Sequence, residues 1–180
     1  MATAVDVMRY IKSRLTPTGE VQLLKLVYYA QAWTVTWDGV PLFPERVEAW
    51  RMGPVVPAIC RRTDGPDPTD GPDPEALTPA ERANVDAVLE FYGRHPGSCL
   101  SEQSHQEQLW QEAWAGRVGD DWGSEEITHD SMREFYTIVG LEGNGPQRNP
   151  VHQKADSAEV LQVAAVNAER WRETLAILAP

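Results

Sequence analysis

The chain has 180 residues and a formal net charge of −11. That length gives one domain able to bury most of its unfolded surface without disulfides, and the acidic balance argues against nucleic-acid binding by the chain itself, which rests on clustered Lys and Arg. Cys60 and Cys99 form neither a metal pattern nor a disulfide framework, no apolar run of about 18 residues is free of charge, and the amino terminus lacks a signal-peptide core, so a cytoplasmic protein outside the membrane is expected.

Val5, Met8, Ile11 or Lys12, and Leu15 recur at helical spacing before Thr16-Pro17-Thr18-Gly19 interrupts, which predicts a short first helix. From Glu20 to about Asp38 the apolar residues leave little polar face. This predicts a central helix buried all round and stopped by Gly39 and Pro41. In Val47-Glu48-Ala49-Trp50-Arg51-Met52, apolar and charged residues roughly alternate, as in a short half-buried strand. Gly53-Pro54 then predicts a turn into a helix containing Val55, Val56 and Ile59, with Pro54 at its first position.

Residues 64–75 repeat the pentapeptide DGPDP, hold no anchoring apolar side chain and carry 5 acidic residues. A stiff, solvated acidic loop is expected there, and without it the net charge is only about −6. Thr78-Pro79-Ala80-Glu81 is a capping box followed by Val85, Val88, Leu89 and Tyr92 on one face. Leu100 to Ala115 reads as one further helix with Trp110 and Trp114 on one side. Thr128 caps another, whose face is Met132, Phe135, Tyr136 and Val139 and whose stop is Gly140.

The compact domain is therefore expected over residues 1–140, with 141–155 as a Gly/Asn/Pro-rich linker and 156–180 as an amphipathic helix. In that helix Leu161, Ala164, Ala168, Trp171, Leu175 and Leu178 are spaced 3, 4, 3, 4 and 3 residues apart, a narrow seam for packing on the same domain or on a partner. The fold class is mainly α: a compact single-domain helical bundle around a central buried helix, with a short extended segment or small sheet.

Several stretches together resemble the Panacea domain, the SocA-like antitoxin family. They are Leu24-Lys25-Leu26 with Tyr28-Tyr29-Ala30-Gln31-Ala32-Trp33, Gly39-Val40-Pro41-Leu42-Phe43, Val47-Glu48-Ala49-Trp50, and Gly53-Pro54-Val55-Val56. His105 followed by Trp110, and Ile127 to Tyr136, are similar to the family's later elements, so the likeness spans roughly residues 5 to 139. Ser104 and Leu109 stand where the family usually has Thr and Pro.

The resemblance implies a non-enzymatic antitoxin of a bacterial or phage toxin–antitoxin pair that binds its toxin protein directly, with no cofactor. The alternative it implies is an adaptor that delivers the toxin to a Clp-type protease. A second copy of the chain is a further candidate partner. Some relatives add a DNA-binding domain, for which residues 1 to 15 are too short.

Lys25, Tyr28, Trp33, Trp50, Gly53, Pro54, His105 and Trp110 carry the signature. Read physically, Tyr28, Trp33, Trp50 and Val55 belong in a core, and Gly53-Pro54 punctuates the backbone. Lys25 either snorkels to the surface, pairs with a carboxylate or meets a partner. His105 is expected as a buried, hydrogen-bonded structural residue. No catalytic, cofactor-binding or metal site is expected: His95, His105, His129 and His152 are scattered, and a cysteine hydrolase built from Cys99, His105 and Glu102 or Glu107 is the remote alternative.

Overall fold

A computed structural model describes residues 1–60, 76–115, 117 and 123–148. The expected acidic loop and the carboxy-terminal seam from Leu161 to Leu178 lie outside the described residues. The fold class is as expected, mainly α, with seven helices and one three-stranded antiparallel sheet among the described residues.

Helix α1 (Ala4–Arg14) starts at Thr3, whose hydroxyl accepts from Asp6 N while Asp6 accepts from Thr3 N. This reciprocal cap satisfies two otherwise orphaned amides. Its buried face is Ala4, Val7, Met8 and Ile11, rotated from the expected one because Leu15 already lies beyond the helix in extended backbone.

Helix α2 (Glu20–Asp38) is the axis of the domain. Every residue from Gln22 to Val35 is buried, and Gly39 closes the helix in the left-handed conformation at φ +71°. Helices α1, α4 (Pro79–Tyr92), α5 (Gly97–Gln106) and α7 (His129–Leu141) pack around it. A helix enclosed in this way must satisfy its polar side chains internally. Gln31 does so by clamping the next loop: its amide N donates to Phe43 O at 2.9 Å, and its carbonyl accepts from Leu42 N and Phe43 N at 2.9 and 3.2 Å.

Strand β1 (Val47–Trp50) is central in the sheet, between β2 (Gly53–Val55) and β3 (Glu125–Ile127), with Glu48 opposite Val55 and Val47 opposite Ile127. Three corrections follow. Strand β1 is covered rather than half-buried, since Glu48 is 3% exposed and engages Arg46 and the Trp50 indole. Gly53-Pro54 forms an edge strand, where a residue without N–H costs no ladder bond, so the short helix α3 (Pro57–Cys60) begins three residues later than expected. The stretch from Leu100 to Ala115 is two helices, α5 and α6 (Gln108–Trp114), separated by Glu107 in extended backbone at φ −73°, ψ 127°.

Helix α4 begins as expected at Thr78, with the capping box to Glu81 formed. Helix α7 is capped by Thr128 and runs through Gly140 to Leu141. Beyond it Gly145 and Pro146 are buried, and Arg148 bonds Trp37 O and Asp38. No described helix is long and apolar enough to cross a membrane.

Candidate functional site

Lys25 sits in the middle of α2 and is 1% exposed. It neither snorkels nor joins a close ion pair: its Nζ donates to Pro54 O at 2.9 Å. The backbone of β2 makes room for this ammonium. Gly53 has φ +94°, and a Cβ there would lie 2.5 Å from Lys25 Nζ and 2.6 Å from Ser104 Oγ.

Burial pushes the Lys25 ammonium down to about 7, against the pull of the Glu107 carboxylate and Cys60. Gly53→Ala combines a disfavoured backbone conformation with displacement of a buried charge. It is expected to cost about 2 kcal/mol or more, read as a lowered denaturant midpoint. An unchanged midpoint would mean that the cradle is not tight.

Glu107 is the second centre, and it explains the break between α5 and α6. Leaving helical geometry turns its side chain inward, where it is 5% exposed. Oε2 accepts from Tyr28 OH at 2.9 Å and Oε1 from Tyr29 OH at 3.0 Å, while Tyr136 OH stands 2.9 Å from Tyr28 OH. Since the Tyr28 proton goes to the carboxylate, Tyr136 donates to Tyr28.

The aromatic shell continues outward from this point. Tyr29 stacks on Tyr92 at 4.1 Å between centroids, and Tyr92 OH accepts from Trp33 Nε1 at 3.2 Å. Burial raises the Glu107 carboxyl to about 7, opposed by the phenols of Tyr28, Tyr136 and Tyr29 around it and by the charge of Lys25. The same burial, with Glu107 beside them, holds the Tyr28, Tyr29 and Tyr136 phenols well above their ordinary value.

A third cluster joins the sheet to α5 and α6. His105 is half-buried rather than buried. Its Nε2 bonds Arg51 O at 3.1 Å and so carries the ring proton, and the ring packs 4.4 Å from Trp110. Trp110 stacks on Trp114 at 5.5 Å, and its Nε1 donates to Trp50 O at 3.1 Å. Trp50 is itself only partly buried and donates to Glu48 Oε2 at 2.7 Å. The expected all-core placement therefore holds for Tyr28, Trp33 and Val55 and fails for Trp50, which is partly exposed at the end of the central strand.

The fold brings together Lys25, Gly53 and Pro54, and separately Tyr28 and Trp33 through Tyr29 and Tyr92. It does not assemble the cysteine-hydrolase constellation. Cys99 Sγ is exposed and 3.9 Å from His95 Nδ1, His105 is committed to Arg51, and Glu107 is enclosed by phenols. Among the described residues no group of His, Cys, Asp and Glu side chains is placed to hold a metal ion.

Glu107, Tyr29, Tyr92 and Tyr136 were not among the signature residues read from the sequence. Their signal was the number of tyrosines on otherwise apolar faces, since buried phenols need acceptors.

A mainly α domain wound on one enclosed helix, with its signature polar groups hydrogen-bonded within the chain, defines the class: a small helical domain whose distinguishing residues mostly serve its own packing. Residues 23–111 match the family model described as Antitoxin SocA-like, Panacea domain. The matched segment runs from the start of the α2 core into α6 and is narrower than the 5–139 span expected. Comparison with curated proteins and with solved structures finds no match.

Proposed function

We propose that this protein is a cytoplasmic antitoxin that neutralises a protein toxin by binding it directly. The observation that carries the reading is the family match over residues 23–111, a family whose description is an antitoxin rather than an enzyme. The inward-facing signature supports it. Lys25, Tyr28 and Trp33 are consumed by contacts within the chain, so toxin recognition falls to exposed side chains.

The test is co-expression with the product of the gene encoded beside it. That product alone is expected to arrest growth, and adding this chain is expected to restore it, including in cells that lack Clp-type proteases. Rescue that vanishes without those proteases, with faster turnover of the neighbour, would make the chain a proteolytic adaptor instead. A neighbour that is harmless on its own would overturn the antitoxin reading.

A further inference from the structure

Helices α6 and α7 enclose an open groove floored by Leu109, Phe135 and Ile138 and flanked by Glu112 and Glu134. Its volume is about 160 Å³, below the roughly 300–1,000 Å³ of small-molecule sites. It suits an inserted side chain better than a metabolite.

The apolar surface continues along α7. Glu134, Ile138 and Leu141 follow one another at spacings of four and three, on one helical face, and Ile138 and Leu141 are 55% and 84% exposed. These two side chains extend the apolar lining of the groove onto the exposed face of α7.

Charge says what fits there. Among the described residues Glu134 has no cationic partner, and the Glu112 carboxylate accepts from the Gln108 amide alone. The last turn of α7 carries no basic residue to repel an incoming cation. The surface is an apolar strip flanked by two carboxylates, those of Glu112 and Glu134, with no cationic partner for either among the described residues.

We propose that this groove is the toxin-docking surface and that it receives an amphipathic segment whose apolar side chain enters between Leu109 and Ile138 while flanking Lys or Arg meet Glu112 and Glu134. This rests on the antitoxin reading above and specifies where the toxin sits. A partner of that kind uses both features at once: the apolar anchor gives residence time, and the acidic rim gives speed of encounter and selectivity.

The probe is the purified product of the neighbouring gene, titrated against the full chain and two double variants, with each variant's melting temperature recorded to establish that it folds. Ile138→Ser with Leu141→Ser is expected to weaken binding about 30-fold or more, as loss of a central apolar anchor does. Glu112→Lys with Glu134→Lys is expected to slow association about tenfold and to remove most of its salt dependence.

If the wild type binds and both folded variants bind equally well, the groove is wrong and the antitoxin reading stands. If the wild type does not bind the neighbour at all, both fall together. If the wild type is a dimer and the Ile138/Leu141 variant a monomer that still binds, the groove joins two copies of this chain and the proposal is overturned.

Discussion

Glu107→Ala is expected to lower the melting temperature by roughly 8–16 °C, the counterpart of about 4 kcal/mol in a domain of this size. The carboxylate accepts from Tyr28 and Tyr29, and Tyr136 is held through Tyr28. Removing it leaves buried hydroxyls without their acceptor, at about 1–3 kcal/mol for each group left unsatisfied. Glu107→Gln retains one oxygen acceptor and should lose markedly less. An alanine variant that melts within about 2 °C of wild type would show that the phenols re-pair among themselves.

The same two buried ions give stability an unusual dependence on pH. In the fold the Glu107 carboxyl titrates at about 7 instead of 4.5, so the native state holds that proton more tightly than the unfolded chain. Its contribution is fully present below about pH 4.5 and is lost as pH rises to 7, by about 3 kcal/mol.

Lys25 runs in the opposite sense. Its ammonium titrates at about 7 instead of 10.5, so the native state holds the proton less tightly. The associated penalty is present below pH 7 and is relieved between 7 and 10.5, by about 5 kcal/mol. Together they place a stability minimum near neutrality. Denaturation followed across pH should show the acid limb flatten in Glu107→Gln and the alkaline limb flatten in Lys25→Met.

What the sequence made legible divides along physical lines. Helix α2 was readable because burial on all sides leaves an apolar run with no polar face, and Thr78 and Thr128 were readable because caps are local chemistry. Strands β2 and β3 were not. Each has three residues, and their pairing with β1 is decided by partners that periodicity does not register. The site was half legible. Lys25, Gly53 and Pro54 were singled out separately, but their meeting depends on the β1–β2 turn that places Pro54 O over α2. Glu107 was misread as part of a continuous helix, because Gln and Glu on both sides favour helix and only the waiting tyrosines select the break.

Trp33→Ala should be comparably costly, for a different reason. The side chain is 1% exposed, its ring lies 5.1 Å from that of Tyr136 and 5.4 Å from that of Trp37, and its Nε1 bonds Tyr92 OH. It also fills the space that Gly145 leaves, where a Cβ would stand 2.2 Å from Cη2. One indole thus holds α4, α7 and the turn after α7 against α2. Truncation is expected to cost about 3–5 kcal/mol, mostly as an unfilled cavity, whereas Trp33→Phe keeps most of the volume and loses about 1 kcal/mol with the hydrogen bond. Chemical denaturation would show this as a lowered midpoint at unchanged slope. A loss below about 1 kcal/mol for the alanine variant would mean that the neighbours close the gap. Because Trp33 is enclosed within its own chain, the folded fraction of the variant should bind the neighbouring gene's product with wild-type affinity. Weaker binding per folded molecule would move recognition from the groove of α6 and α7 into the signature helix itself.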